Sequence, residues 1–382
     1  MKAKSAVTAQ AAQLAWARLL ERMAETGDII AGPLGGRSDR ERAEGYRHLT
    51  RVFSIATEML VEKGDPRHPA FTRWMTPHRK MYGDNPGTVY DAAMIEGGGT
   101  YRIAGHRGTS AYLGFCVYGT TDGAKRILGN LDDDELTIGP DGAFEVWLSA
   151  TRPAETPATA AFLALDPDTT EVMVRQYFVE PETEQQATYT IAAVPDPGPP
   201  PVLTEAVLAQ RLDALGDYLH DTVEAETTLS ALSASITQAV FRSGAEYVDK
   251  HGAPTDPPMD ASVVVRVMPT PAIQYSGSWF DDLGDDEMLV VEGTAPTCRY
   301  WSIQLLTRFM ESGDWLHHPV FLTGRDIAVK DDGTFQVVVA HRDPGVGNWL
   351  ATTGLTSANI AVRALKAEGT LDVRFRRESS TH

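Results

Sequence analysis

The sequence has little cysteine, little basic charge and no long apolar run. Its two cysteines, Cys116 and Cys298, lie in or beside apolar strand patterns and are expected to be buried thiols, so no disulfide framework is predicted. Lys and Arg total 34 against 52 Asp and Glu, which gives a formal net charge of -18. Because so acidic a chain repels polyanions, we expect neither nucleic acid nor an anionic membrane surface as a partner.

The distribution of apolar residues predicts a protein without a membrane span. No segment approaches the roughly 18 uncharged apolar residues that a membrane-spanning helix needs. Near the N-terminus, Gln10, Gln13 and Arg18 interrupt any apolar stretch, so no secretory signal is predicted. We therefore expect a cytoplasmic location. The oligomeric state stays open, and a homo-oligomer is compatible with the sequence.

Several motifs that carry chemistry are also missing. The sequence has no Gly-x-Ser-x-Gly nucleophile motif and no His-x-His pair. The Gly-rich segment 32–36 follows no strand pattern and precedes no Lys-Ser/Thr, so it does not predict a phosphate-binding loop. The acidic runs Asp132–Glu135 and Asp281–Glu287 lack the alternating spacing of a calcium loop. We therefore predict no metal and no cofactor, and any catalysis would be cofactor-free acid/base or hydrolytic chemistry.

What the sequence does have is a segment that occurs twice. Leu136–Arg152 and Ile327–Asp343 each place an Asp-Gly pair between two runs that alternate in polarity. Asp-Gly favours the positive φ of tight hairpin turns, so both segments predict a β-hairpin.

Other blocks repeat in the same order along the chain. Tyr101–Tyr118 aligns with Leu289–Leu306, and Val174-Arg175 aligns with Val362-Arg363. The repeat predicts two similar antiparallel β-units, of sandwich or jelly-roll type. Positions that match in both copies are expected to serve the fold. Polar positions that occur in one copy only are the better candidates for a functional site.

Helical patterns flank these units, so the predicted fold class is α+β, mainly β. A helix is expected over residues 7–26 and a second one from Ser38, which forms a capping box with Glu41. Central helices are expected from Thr204, with a bend near His220–Thr222. The predicted segments are an N-terminal helical segment (1–66), the first β-unit (67–194), a Pro-rich linker with central helices (195–245) and the second β-unit (246–382).

His341 is the candidate catalytic residue, together with Arg342 and Asp343. Strand alternation places His341 on the apolar face of its strand, whereas the first copy has Ala150 there. An imidazole at that position could act as a general acid or base, or anchor a polar ligand group. The alternative is a structural histidine that bonds a backbone carbonyl. A third interpretation groups His341 with His317 and His318 around one metal ion, which requires the intervening loop to fold back.

The remaining candidates are side chains that could contact a ligand. Trp349, beside Asn348, could line an apolar pocket or stack on a flat ring, or it could simply plug the end of the sandwich. Arg102, His106 and Arg107 form a basic cluster that could hold an anionic group, or be paired with neighbouring acids such as Glu96. The full set of candidate ligand-binding residues is Asp84, Asn85, Tyr90, Arg102, His106, Tyr300, Asn348 and Trp349.

Four short motifs give the chain a resemblance to a known family. They are Asp84-Asn85-Pro86 with Tyr90, Tyr300-Trp301-Ser302, Asp332-Gly333 and Asn348-Trp349-Leu350. In these motifs residues 74–375 resemble the domain of unknown function 1214 (DUF1214) family, most closely after Leu289. Many members have proline after Asn-Trp-Leu, whereas this chain has Ala351. The resemblance implies a β-rich, jelly-roll-like fold with added helices and implies no established reaction.

Two functions of different class are compatible with these observations. The first is an intracellular protein that binds or transforms a small, largely apolar organic molecule. Its site would lie near His341, Arg342, Asn348 and Trp349, and Asp84, Asn85 and Tyr90 would close it. The second is a non-catalytic carbohydrate-binding or assembly module. A deep apolar pocket with convergent His and Arg would favour the first, and a shallow groove with exposed aromatic side chains would favour the second.

Overall fold

A computed structural model describes residues 10–121, 124–235, 239–242, 247–248 and 268–379. The chain forms two compact units, each built from several segments. Unit 1 contains Met1–Arg79, Val89–Gln176 and Gln185–Ala225, and unit 2 contains Lys80–Thr88, Tyr177–Glu184 and Glu226–His382. The short segment Lys80–Thr88, which carries Asp84 and Asn85, therefore belongs to unit 2.

Three helices lie among the described residues. Helix α1 covers Ala11–Ala31, and α2 covers Asp39–Ala56 and continues as a π-helical turn over Thr57–Glu62. The Ser38 half of the predicted capping box of α2 is confirmed, because the Ser38 side chain accepts a hydrogen bond from the Glu41 backbone N–H, and the Glu41 carboxylate accepts from the Arg37 backbone N–H. Helix α3 is one continuous helix over Glu205–Ser235, so the predicted bend near His220–Thr222 is wrong. Neither Gly nor Pro occurs at 217–225 to interrupt it.

The first β-sandwich consists of two sheets. Its strands are β1 (Thr72–Arg73), β2 (Thr88–Met94), β3 (Tyr101–His106), β4 (Tyr112–Thr121), β5 (Ala124–Asp132), β6 (Ala143–Ser149), β7 (Ala161–Ala164), β8 (Thr169–Tyr177) and β9 (Thr188–Ala193). One sheet has the order β1-β2-β8-β4-β5 and the other has the order β7-β6-β3-β9.

The second β-sandwich has the same plan. Its strands are β10 (Ala239–Arg242), β11 (Tyr247–Val248), β12 (Ile273–Phe280), β13 (Glu287–Thr294), β14 (Tyr300–Leu306), β15 (Phe321–Thr323), β16 (Thr334–Ala340), β17 (Trp349–Ala351), β18 (Ala358–Leu365) and β19 (Val373–Ser379). The two sheets have the orders β11-β10-β12-β18-β14-β15 and β17-β16-β13-β19.

The duplication and the fold class are confirmed by these strand orders. The series β2-β8-β4-β5 corresponds to β12-β18-β14-β15, and β7-β6-β3-β9 corresponds to β17-β16-β13-β19. Even the exception is shared, since β6–β7 and β16–β17 are both parallel in otherwise antiparallel sheets. Equivalent residues also pair, because Gly105 faces Phe144 and Gly293 faces Phe335 across the ladder.

The two Asp-Gly turns are confirmed, although the strands predicted before them are not. Gly142 and Gly333 have φ of 86° and 82°, a region that side chains with a Cβ rarely occupy. Strands β6 and β16 follow the turns directly. The segments before the turns are irregular: Val329 makes only an isolated bridge to Phe335.

Each sandwich has its own apolar core, supplied by alternate residues of both sheets. In the first, Ile103 and Val146 of one sheet pack with Phe115 and Val174 of the other. The corresponding core of the second includes Val291, Val337, Ile303 and Val362. Burial of these side chains from both sheets is what holds each sandwich together.

Two expectations from the composition can be compared with the structure. No described helix is both long and apolar enough to cross a lipid bilayer. Cys116 is buried and Cys298 is half-buried, and both are free thiols. The prediction of a buried thiol is therefore confirmed for Cys116 and holds only in part for Cys298.

Candidate functional site

The candidate site is a groove on the outer face of the four-stranded sheet of unit 1. Strand β3 sends Tyr101 and Ile103 into the core, so Arg102, Ala104 and His106 lie on the opposite face. These three side chains form a row along the central strand of the sheet. The groove that follows this row has a volume of about 670 Å³.

Small side chains form the floor of the groove. Ala104 lies opposite Glu145 of β6 and Thr190 of β9, and His106 lies opposite Ala143 and Thr188. Alanine methyl groups at the centre leave room that longer side chains would occupy. The other lining residues are Gly105, Thr137, Gly139, Phe144, Thr159 and Tyr189.

Arg102 and Glu145 form the charged part of the groove. The guanidinium group of Arg102 donates from Nε to Glu145 Oε1 at 2.8 Å and also from Nη2. The indole Nε1 of Trp147 donates to Glu145 Oε2 at 3.2 Å. The Arg102 hydrogen bond, reinforced by the one from Trp147, lowers the pKa of Glu145, which is therefore ionised at neutral pH. Glu145, rather than the predicted Glu96, is the partner of Arg102.

His106 and the threonines supply the uncommitted polar groups of the groove. The His106 side chain is exposed and makes no hydrogen bond or ion pair to any residue that the structure describes. The exposed Thr188 and Thr190 stand on the next strand. A hydroxyl group both donates and accepts, and an imidazole can do either. The groove can therefore offer hydrogen bonds of both kinds along its length.

The corresponding face of unit 2 has a different surface. There, the repeat replaces Ala104 by Glu292, and the residue opposite it on β19 is Arg374 instead of Thr190. Glu292 bonds Arg376 at 3.3 Å. Longer side chains thus stand in unit 2 at the positions of Ala104 and Thr190.

A second group of predicted residues lies in a buried polar layer of unit 2. Tyr300 and Ser302 of β14 lie on the face opposite the core residues of that strand. The Tyr300 hydroxyl donates to Asn85 Oδ1 at 2.8 Å, and Asn85 Nδ2 donates to Ser302 Oγ at 3.3 Å. The structure therefore brings Asn85 and Tyr300 together, in the interior of unit 2.

Asp84 is bound in the same layer. Its carboxylate accepts hydrogen bonds from the Ser312 backbone N–H at 2.8 Å and from Ser312 Oγ at 2.6 Å. Its backbone carbonyl accepts from Gln304, whose side-chain oxygen accepts from Arg363 at 2.7 Å. Complete burial raises the pKa of Asp84, while Lys80 opposes that shift. These bonds tie the segment Lys80–Thr88 to β14 and to the turn at 307–313.

The family can be assigned from sequence and structure together. Residues 277–369 match the model of "Protein of unknown function (DUF1214)". Over 97% of this chain and 99% of the other, the structure superposes on an uncharacterized protein from Burkholderia cenocepacia with a TM-score of 0.85 and 30% sequence identity. The chain belongs to the DUF1214 family. The region matched by the DUF1214 model lies in unit 2, whereas the groove lies in unit 1.

More distant similarities add nothing about activity. The VPA0106 protein from Vibrio parahaemolyticus is 14% identical over 86% of this chain and 97% of that one, with a TM-score of 0.48. A salicylate 1,2-dioxygenase from Pseudaminobacter salicylatoxidans is 10% identical over 87% and 81%, with a TM-score of 0.21. Similarities this weak support no argument about function. No curated protein matches the sequence.

The His341 region of this DUF1214 protein is well bonded. His341 is half-buried, with Nδ1 at 2.5 Å from Thr352 Oγ1 and Nε2 at 2.9 Å from the Leu283 carbonyl oxygen. The carbonyl can only accept, so Nε2 carries a proton. This is the bonding that the structural alternative predicts. Arg342 and Asp343 are exposed beside it, and the catalytic role of the three residues stays a prediction.

Asn348 and Trp349 connect neighbouring segments of the DUF1214 region. The Asn348 amide donates to the carbonyls of Ala328 and Gln336, and its oxygen accepts from the Ala328 backbone. The half-buried Trp349 points its indole N–H at the Ala340 carbonyl, 3.4 Å away. All polar groups of the Asn348 side chain are thus engaged within the fold.

Tyr90 and the loop histidines lie elsewhere. Tyr90 is buried in unit 1, where the Arg175 guanidinium lies 5.9 Å from its ring centre. His317 is exposed and bonds Asp314 at 2.9 Å. Among the described residues, clusters of three potential metal ligands do not include His317, His318 or His341.

The candidate residues are thus found in several separate places, and only Arg102 and His106 line the groove. Reasoning from sequence missed Glu145, Thr188 and Thr190, which join them. Glu145 has a polar counterpart in the repeat, Gln336, so the search for polar positions present in one copy only did not identify it. The threonines become neighbours only through the pairing of β9 with β3, which is not local in sequence.

Proposed function

We propose that the protein binds a small hydroxylated organic molecule, such as a monosaccharide or a comparable polyol, in the groove of unit 1. The observation that carries the proposal is the row of Arg102, Glu145 and two threonines beside the small residues Ala104 and Ala143. The volume of about 670 Å³ is in the range of small-molecule sites.

The polar groups favour a ligand with hydroxyl groups. The ionised Glu145 accepts hydrogen bonds, and the unused N–H groups of Arg102 donate them, so adjacent hydroxyls of a ligand can bond both. The ion pair carries no net charge, which favours a neutral ligand. The methyl groups of Ala104 and Ala143 are suited to the C–H faces of such a molecule.

This proposal replaces the expected apolar ligand by a hydroxylated one, and it agrees with the alternative expectation of a carbohydrate-binding module. A largely apolar ligand would leave Arg102, Glu145 and the threonines without hydrogen-bond partners, which is unfavourable. The two aromatic residues of the groove lining are committed to the fold, since Phe144 is buried in the core and the half-buried Tyr189 packs against that core and bonds Asp91 through its hydroxyl. Recognition would rest on hydrogen bonds. The proposal keeps a cytoplasmic location without nucleic-acid or membrane partners, on grounds of composition.

The test is calorimetric titration of the full chain with a panel of monosaccharides, polyols and sugar acids. We expect at least one neutral member to bind. Glu145→Ala should then weaken binding by about tenfold or more, because hydrogen bonds to a charged group contribute about 1.5–3 kcal/mol. The matched control is Gln336→Ala, the same position in unit 2, which should leave the affinity unchanged. Failure of every neutral member to bind, or equal losses in the two variants, would overturn the proposal.

A further inference from the structure

A second cluster of polar side chains lies on helix α3, away from the groove strands. His220, Asp221 and Glu224 each place one nitrogen or oxygen atom within 4.8 Å of the others. All three belong to unit 1. Because α3 continues without a bend, His220 and Glu224 are one helical turn apart and lie on the same side of the helix.

The His220 ring has a nitrogen that the fold does not use. Nδ1 is buried and has no hydrogen-bond partner. The nearest carboxylate oxygen, Asp221 Oδ1, is 3.5 Å away, longer than an ordinary N–H···O hydrogen bond. A buried polar atom without a hydrogen-bond partner lowers the stability of the fold, so a bound ligand or a hydrogen-bond donor at this nitrogen would be favourable.

The donor set matches a transition-metal ion. Imidazole nitrogen together with carboxylate oxygen suits Zn²⁺ and related divalent ions. Zinc binds such atoms at about 2.0–2.2 Å, so ligand atoms around one ion lie roughly 3–4 Å apart. The ligand atoms of the cluster, all within 4.8 Å of one another, are close to this spacing, and the Asp221 and Glu224 side chains are exposed and half-exposed.

We infer that His220, Asp221 and Glu224 form a binding site for one divalent transition-metal ion of the Zn²⁺ type. His220 Nδ1 is the anchoring ligand, and Glu224 and Asp221 complete three protein ligands. Three protein ligands leave a coordination position for water or another small ligand. The site does not depend on the groove, so it stands or falls separately from the proposed ligand-binding function.

The site can be tested on the full chain after removal of metal by a chelator. Titration with Zn²⁺ should show one equivalent bound, and Co²⁺ should give an absorption spectrum of a site with nitrogen and oxygen ligands. His220→Ala and Glu224→Gln should each weaken Zn²⁺ binding by about tenfold or more, since even changes outside the ligand shell cost that much at metal sites.

Two matched controls distinguish this site from general binding to acidic or histidine-bearing surfaces. Asp217→Asn changes an exposed carboxylate one turn earlier on α3, and His317→Ala removes an exposed histidine that bonds Asp314. Both should bind Zn²⁺ as the wild type does, and circular dichroism should show all four variants folded. The absence of saturable Zn²⁺ binding, or unchanged binding in folded His220→Ala and Glu224→Gln, would overturn the inference.

Discussion

The outer faces of the two four-stranded sheets have the same backbone plan and different surfaces. In unit 1, Ala104 lies between Glu145 and Thr190 on the floor of a groove. In unit 2, the positions equivalent to Ala104 and Thr190 carry the longer side chains Glu292 and Arg374. Inward residues are constrained by the shared core, whereas outward residues are free to diverge. A surface that differs while the fold is preserved is therefore where function is to be sought.

The sheets that contain β8 and β18 share a buried polar feature. Arg175 in unit 1 stacks on Tyr90, and the equivalent Arg363 in unit 2 stacks on Tyr275 at 5.7 Å. Because both copies bury an arginine over a tyrosine, this feature belongs to the fold. Arg363 also bonds Gln304, which bonds the Asp84 backbone. Asp84 and its hydrogen-bonded neighbours are therefore parts of the interior of unit 2.

The largest effect is expected where the two units are most alike. A Cβ at Gly105 would lie 2.0 Å from the Thr188 carbonyl oxygen, and one at Gly293 would lie 2.0 Å from the Asp372 carbonyl oxygen. Backbone must shift in either case, so Gly105→Ala and Gly293→Ala should each lower the free energy of unfolding by about 2 kcal/mol or more. Urea unfolding measures this. A loss below about 0.5 kcal/mol in either variant would mean that the two glycines are not structurally equivalent.

A smaller effect is expected at a position where the two units differ. His341→Ala introduces the residue type that unit 1 has at the equivalent position, Ala150. The substitution leaves the Leu283 carbonyl and the Thr352 hydroxyl without their hydrogen bonds to the imidazole. Stability should fall by about 1–3 kcal/mol, and ligand binding in the groove should be unchanged. Thermal unfolding and calorimetric titration measure the two quantities. Lost binding with unchanged stability would instead support a functional role of His341.

The smallest effect concerns the pH dependence of the buried layer in unit 2. Burial raises the pKa of Asp84, so the folded protein holds this proton more tightly than the unfolded chain does. The free energy of unfolding should therefore decrease as pH rises above the ordinary Asp pKa of about 3.9, until the raised folded pKa is passed.

Asp84→Asn is the variant that isolates this contribution. An amide can still accept from the Ser312 N–H and donate to its hydroxyl, so the layer should stay intact while the decrease becomes smaller. Urea unfolding at a series of pH values measures the slope. An identical slope in Asp84→Asn and wild type would show that Asp84 is not the group responsible.

The repeat in the sequence predicted much of the fold because it is a local pattern. Asp141-Gly142 and Asp332-Gly333 identify the turns, and alternation identifies the strands after them. The segments before the turns misled the prediction, because apolar residues such as Val329 alternate there without a neighbouring strand to pair with along their length. Helix α3 was predicted to bend from its change of apolar face, yet its backbone continues.

The site was harder to predict because it depends on pairing between distant strands. Arg102 and His106 were identified from local charge alone. Glu145, Thr188 and Thr190 join them only when β6 and β9 pair with β3, and nothing local in the sequence fixes that order. His341 drew attention as a polar residue on an apolar face, and its two bonding partners come from residues 283 and 352, again distant in sequence.

The most direct test of a ligand groove confined to unit 1 is to fill it. Ala104→Trp places an indole on the floor of the groove, and Gln336→Trp places one on the outer face of unit 2 as the control. Both variants should fold as the wild type does, because both positions face outward. Titration with the best-binding polyol of the panel should show binding lost in Ala104→Trp and preserved in Gln336→Trp. Wild-type affinity in a folded Ala104→Trp would contradict the account.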